Sequence, residues 1–306
     1  MTTVRHYLTL HWVVFLWGFT AILGVLISVS SLTIVFYRTL LAAIGLGLLL
    51  YARGRNFKLG MNPIARMMAT GLIMAVHWVL FFGAAKVATA SVCLAGMATT
   101  SLWTSFVEPI LYRRKIWLFE VLLGMVALAG LYVIFHFEFN HALGLAMALI
   151  SALLAALFTV INSQFTKRHN PYMIIFYEMC GAWIGTAVFL LFYSFFWTDE
   201  PLNVLPSAID WLYLLILAWV CTVYAYSASV ELMQKISAFA LNLTNNLEPV
   251  YGIVLAFLIF GEKEKMTPGF YLGTSIILLA VLAYPVLMRM LGKKAGEVNE
   301  QVTMRN

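Results

Sequence analysis

The sequence predicts an all-α integral membrane protein of ten transmembrane helices, arranged as two five-helix repeats of opposite orientation. Three observations predict it: a composition suited to lipid, ten long apolar runs, and a match between the two halves of the chain.

Composition comes first. Of 306 residues, 63% are hydrophobic and 10% charged. Soluble domains are roughly 45–50% apolar and about 25% charged. Runs such as Leu8 to Ile27, Ala142 to Thr166 and Ile209 to Met233 reach the roughly 20 residues needed to cross a bilayer core. Reading the chain in order places spans near 8–27, 31–52, 64–86, 88–112, 116–137, 142–166, 172–196, 209–233, 238–260 and 268–291. Helices are expected, because a spanning segment must satisfy its own backbone groups. The runs are continuously apolar, unlike the short alternating segments of a β-barrel. The first run is too long for a signal-peptide core and no small-x-small cleavage site follows it, so it reads as a retained span. Cys93, Cys180 and Cys221 all fall inside spans, an odd number of thiols that points to packing rather than to a disulfide framework or a metal site.

The net charge of +6 is explained by its placement. With the N-terminus in the cytoplasm, fifteen of the 19 Lys and Arg residues fall on the cytoplasmic side. Lys86, Lys263 and Lys265 fall outside, and Arg38 lies within a span. This is the positive-inside pattern. It makes the basic balance a topology signal, with no nucleic-acid partner implied. The expected setting is a cell inner membrane, multi-pass, with both termini cytoplasmic and a polar, disordered tail at 293–306.

The repeat is the third observation. Phe36-Tyr37 matches Phe176-Tyr177 and Ile44-Gly45 matches Ile184-Gly185; Phe19-Thr20-Ala21-Ile22 lines up with Phe158-Thr159-Val160-Ile161, and Gly124 with Gly273. The halves are expected at 1–137 and 138–292. Five spans per half force the second half to enter the membrane from the opposite side. Inverted repeats with a midplane site between them are the plan of many secondary transporters.

Several stretches then resemble one family. They are Trp17-Gly18-Phe19 in span one, Phe36-Tyr37-Arg38-Thr39-Leu40-Leu41-Ala42 in span two, and Ala84-Ala85-Lys86-Val87-Ala88-Thr89-Ala90-Ser91 at the junction of spans three and four. In the second half they are Leu247-Glu248-Pro249-Val250, Phe260-Gly261-Glu262 and Gly273. In order and spacing these resemble the drug/metabolite transporter superfamily, EamA-type branch. The first half departs from that pattern. Lys115-Ile116 stands where Gly-Glu is expected, and Glu108-Pro109 lies later in span four than Glu248-Pro249 does in span nine. The resemblance implies a ten-helix carrier, more often an exporter, with a cavity lined by spans one to four and six to nine. Spans five and ten would be peripheral supports.

Charges inside the bilayer are the candidate site. An Arg at a helix centre costs about 2.5–3.5 kcal/mol on insertion scales, so such residues face a bundle interior or a wet cavity. Arg38 suits a substrate carboxylate; a structural pair or outward snorkelling are the alternatives. Glu178 occupies the matching place in the second half. Glu248 is the deepest acid and the candidate for proton coupling, or else a hydrogen-bonded carboxyl at the kink before Pro249. His77 is a possible substrate contact. Asn162, Asn242, Asn245 and Asn246 either bind substrate or cross-link helices. Trp17, Trp78 and Trp103 lie deep enough to line an apolar cavity or to pack. Gly181-x-x-x-Gly185 and Gly269-x-x-x-Gly273 read as close helix contacts, the latter a possible homodimer face on spans five and ten.

The expected activity is secondary transport of a small molecule, most simply amino acids or related amphipathic metabolites. Drugs, nucleotide-sugar-like and phosphorylated compounds are the other carrier substrates considered. The chain lacks H-E-x-x-H, G-x-S-x-G and P-loop motifs, so no enzyme activity, ATP drive, metal or cofactor is implied. A channel fits poorly with so few charged pore residues.

Overall fold

A computed structural model describes residues 4–54, 59–113, 118–137, 139–196, 203–236, 241, 244, 245 and 247–290. Among them there is no β-strand; they form twelve α-helices, a π-helical segment and short 3₁₀ turns. We number the helices α1 (Val4–Leu26), α2 (Ser31–Ala52), α3 (Met61–Val87), α4 (Ala90–Met97), α5 (Thr100–Tyr112) and α6 (Leu118–Phe137). They continue with α7 (Ala142–Phe165), α8 (Pro171–Phe196), α9 (Ala208–Leu215), α10 (Ala225–Leu232), α11 (Glu248–Phe260) and α12 (Pro268–Met290). The π-helical segment Ile216–Tyr224 joins α9 to α10 without interruption.

Among the described residues, seven stretches are long and apolar enough to cross a membrane: Leu8–Leu26, Ser31–Ala52, Met61–Val87, Ala90–Tyr112, Phe139–Phe165, Pro171–Tyr193 and Ala208–Leu232. Shorter apolar stretches occupy Leu122–Ile134 and Pro268–Ala280. Large apolar side chains cover the outside, among them Leu48, Phe195, Leu258 and Leu279. That is the arrangement expected where lipid is the solvent and hydrogen-bonding groups must turn inward.

Two of the expected spans differ in detail. The fourth is not continuous: it breaks at Ala98-Thr99 between α4 and α5. The Thr99 and Thr100 hydroxyls donate to the Gly96 and Met97 carbonyls at 2.7 Å each, competing with the backbone ladder at that point. The eighth widens into π-helix, where the Thr222 hydroxyl donates to the Leu217 carbonyl five residues back, at 2.8 Å. The ninth was expected from 238; residues 237–240, 242, 243 and 246 lie outside the described residues, and α11 starts at Glu248 with Pro249 in its first turn. The expected tail, 293–306, also lies outside the described residues.

Connecting segments gather at two opposite ends. At one, the Ser28 N–H and hydroxyl donate to the Asp210 carboxylate at 2.8 and 2.6 Å, and Ser30 N–H donates to the Asn203 carbonyl. There Lys86 donates to the Ile27 and Val29 carbonyls, and Glu264 accepts the N–H groups of Ala90 and Ser91 that open α4. A carboxylate on these orphan amides is favoured by the helix dipole. At the other end Arg53 lies 5.0 Å over the Tyr172 ring, and Lys235 donates to His6.

Inside, α2 packs on α8, α3 on α7 and α8, α1 on α10 and α11, and α4 on α7 and α11; α6 pairs with α12. Glycines allow three of these crossings to be close. A Cβ on Gly18 would stand 3.1 Å from the Glu248 carbonyl oxygen. One on Gly71 would run into the Glu178 backbone, and one on Gly273 into Gly130. Gly273 therefore faces Gly130, while Gly124 faces Leu102 and Phe106. Gly269 meets Phe137, and Gly181 and Gly185 meet Met68 and Leu72, so both small-residue faces are already used within the chain.

Candidate functional site

The helix crossings leave a cavity enclosing about 750 Å³ of empty space, its mouth included. Among the described helices, α1 to α5, α7, α10 and α11 contribute to its wall, with the π-helical segment. Met233 and Leu241 line it just beyond α10; among the described residues, none of the Ser28–Asp210 cluster lines it.

Arg38 projects from α2 and is 2% exposed. Its Nε donates to the Thr222 hydroxyl at 2.8 Å, and its guanidinium lies 4.0 Å from the Trp78 ring centroid and 5.7 Å from that of Phe82. Stacking on an aromatic face stabilises a poorly hydrated cation. The same π-helical segment leaves the Cys221 carbonyl to accept the Trp17 indole N–H at 3.2 Å. Thus one irregular turn anchors both Arg38 and Trp17. Among the described residues no carboxylate lies within ion-pair distance of Arg38.

Glu248, 9% exposed, enters from the start of α11 and lines the same cavity. Among the described residues its carboxylate has no hydrogen-bond or ion-pair partner. His77 is held by Ser151: its Nδ1 lies 2.9 Å from the Ser151 carbonyl, which can only accept. Nδ1 therefore carries the hydrogen, and in the neutral ring Nε2 keeps its lone pair. The Ser151 hydroxyl donates in turn to the His77 carbonyl at 2.9 Å. Trp17, Trp78, Phe81 and Phe158 supply apolar wall.

Of the residues expected at a substrate site, Trp17, Arg38, His77 and Trp78 line this cavity, as does Glu248. Trp103, Asn162 and Glu178 do not. Asn242 and Asn246 lie outside the described residues. Glu178 is fully buried behind the wall, where its Oε2 accepts the Tyr226 hydroxyl at 3.1 Å; Asn162 Nδ2 donates to the same hydroxyl at 2.6 Å. Arg38 and Glu178, mates in the sequence repeat, thus bond to different partners in the second half.

Sequence reading missed Tyr226, Ser229, Thr100, Thr159 and the anchor Thr222, whereas Asn245, one of the span-nine amides, lines the cavity as an amide there could. A signal was present for three of them. Thr222, Tyr226, Ser229 and Met233 are spaced four, three and four apart, one face of a helix. Hydroxyls cost little in a span, so hydropathy alone does not mark them.

Fold and cavity together define a polytopic helical membrane protein with a buried, polar-lined compartment. The chain belongs to the EamA-like transporter family, which matches residues 5–136 and 142–284 as two copies. It is therefore a multi-pass membrane transporter of small molecules, within the drug/metabolite transporter superfamily. A solved crystal structure, described only as that of a protein, superposes with a TM-score of 0.67 at 16% identity. That match covers 95% of this chain and 99% of the other, and it speaks for the fold alone. No curated protein matches the chain.

Proposed function

We propose that the chain is a secondary carrier for zwitterionic amino acids and related amphipathic metabolites, working by alternating access. One observation carries the substrate reading: Arg38 and Glu248 are both buried in one cavity wall, and among the described residues neither is ion-paired. Leaving a buried charge unpaired is costly unless a ligand or water completes it. An α-amino acid brings both complements, a carboxylate for the guanidinium fork and an ammonium for Glu248. The indole and phenyl walls suit an apolar or aromatic side chain.

The inverted two-repeat architecture is supported by the helix contacts. Exchange of each helix for its counterpart five spans on turns the α1–α11 contact into α7 against α4 and α5. The same exchange turns α3–α7 into α10–α1, and α3–α8 into α2 against the π-helical segment. The α2–α8, α4–α11 and α6–α12 contacts map onto themselves. A twofold axis in the membrane plane produces this set, with ten spans and the family's two copies as its halves. Both termini then face one side, the cytoplasm of a cell whose inner membrane holds the protein, and the Ser28–Asp210 end faces out. On family likeness the direction is export. A homodimer through α6 and α12 would use their exposed residues, such as Met125, Tyr132 and Leu279.

The test is counterflow in proteoliposomes. Vesicles loaded with single unlabelled amino acids should accumulate the same labelled compound, and Arg38→Ala should abolish this. Exchange of phosphorylated or nucleotide-sugar compounds, with none of amino acids, would overturn the substrate reading.

A further inference from the structure

We propose that Glu178 is a proton-binding site behind the substrate cavity, connected to it through the Tyr226 hydroxyl. The inference rests on the carrier reading above, and it moves the coupling proton from Glu248 to Glu178.

The argument begins with hydrogen-bond accounting. Tyr226 has one hydroxyl hydrogen and two lone pairs. Three partners surround the oxygen: Asn162 Nδ2 at 2.6 Å, Glu178 Oε2 at 3.1 Å and the Met74 sulfur at 3.4 Å. Asn162 can only donate here. With Glu178 ionised, the single hydrogen must choose between two acceptors, the carboxylate and the sulfur. With a proton on Oε2, every contact of the Tyr226 oxygen is satisfied: Asn162 and Glu178 donate to Tyr226, and Tyr226 donates to Met74.

The surroundings favour that second state. Glu178 is 0% exposed and its Oε1 has no partner. An unpartnered carbonyl-type oxygen on a neutral acid costs far less than an unpartnered carboxylate oxygen. α8 packs against α2, α3 and α10, with α7 reaching in through Asn162. From α10 comes Tyr226; from α3, Gly71 against the Glu178 backbone and Met74 against Tyr226. Of the charged or titratable groups of α2 and α3, Arg38 and His77 line the cavity, Lys86 and Tyr37 bond to backbone carbonyls elsewhere, and neither these nor Tyr51 and Arg66 make a hydrogen bond to Glu178. Among the described residues no cation lies within ion-pair distance of it.

The proposed route to water runs through Tyr226, which lines the cavity; for release its hydroxyl turns from Met74 to a cavity water. Release is a two-step relay within one motion. Glu178 Oε2–H gives its proton to the Tyr226 oxygen as Tyr226 gives its own hydroxyl proton to a cavity water. Two O–H bonds break and two form, leaving a carboxylate and a hydronium ion. Glu248 remains the contact for a substrate ammonium, so proton and substrate occupy neighbouring sites and not the same carboxylate.

Infrared difference spectra of the purified protein in lipid, recorded between acid and alkaline buffer, test this without any substrate. The C=O stretch of a protonated carboxyl should appear in the wild type and in Glu248→Gln and vanish in Glu178→Gln, the isosteric variant. In Tyr226→Phe it should persist with slowed exchange. An unchanged band in Glu178→Gln overturns the proposal. In vesicles containing a pH-sensitive dye, Glu178→Gln should keep counterflow of labelled amino acid but lose the proton signal; an undiminished proton signal overturns it. Absence of amino-acid counterflow in the wild type would sink the substrate reading alone, because the infrared band still decides Glu178.

Discussion

Arg38 and Thr222 meet at 2.8 Å, guanidinium Nε to hydroxyl oxygen, between α2 and the π-helical turn. The Thr222 hydrogen is directed to the Leu217 carbonyl, so its lone pair is turned to the arginine. Trp78 covers one face of the guanidinium. The fork is thereby oriented by its edge and its face, with its remaining N–H groups left for a ligand.

Replacing Thr222 by Val keeps the shape and removes that acceptor. A hydrogen bond to a charged group contributes about 1.5–3 kcal/mol, which corresponds to roughly a 10- to 100-fold change in apparent affinity. Counterflow by Thr222→Val should show KM raised by about tenfold or more, with Thr222→Ser close to wild type. Equal KM in Val and wild type would show that Arg38 does not depend on this anchor.

Glu248→Gln should separate the two ends of the substrate. Amino acids should bind at least about tenfold more weakly, having lost a charge-assisted contact. Analogues lacking the amine should be unaffected. Inhibition of counterflow by matched pairs of amino acid and deaminated acid measures the difference; a parallel loss for both would remove Glu248 from amine recognition.

Packing of α3 on α8 depends on Gly71, where an added methyl meets the Glu178 backbone. Gly71→Ala should cost about 1–3 kcal/mol, as overpacking does, and lower Tm in detergent. Gly60→Ala, with its nearest new contact at 3.7 Å, is the control and should leave Tm unchanged.

The opposed orientation of the halves is open to accessibility labelling. Gly60 and Asn203 are both exposed and lie at opposite ends of the bundle. With Cys93, Cys180 and Cys221 replaced, a membrane-impermeant maleimide should reach Asn203→Cys from outside intact cells. Gly60→Cys should react only after the membrane is opened. Labelling of both from one side would remove the inverted-repeat reading.

Asp210→Ala should loosen the Ser28–Asp210 end. Asp210 caps α9 with Ser207 and holds Ser28 by two hydrogen bonds. Loss of a cap alone costs about 0.5–2 kcal/mol. A cysteine at Thr33, fully buried beside Ser30, should react faster with external reagent in this variant. An unchanged rate would show that the Ser28–Asp210 contact does not restrict access to Thr33.

The sequence by itself determined that the chain lives in lipid, where most of its helices run, and that Arg38, His77, Glu178 and Glu248 are charged or titratable groups inside spans. Charge inside an apolar run is legible in one dimension because transfer to lipid penalises it wherever it points. Only tertiary structure separated Glu248 from Glu178. Both are acids in apolar helices, but α11 turns one into the cavity and α8 turns the other behind Tyr226. The break at Ala98-Thr99 and the π turn at Thr222 were equally hidden, since hydropathy records the cost of leaving water and not the rotation of a helix about its axis. That rotation is decided by which glycines let two backbones touch, and so by residues distant in sequence, as Gly18 beside Gly252 and Gly71 beside Glu178 show.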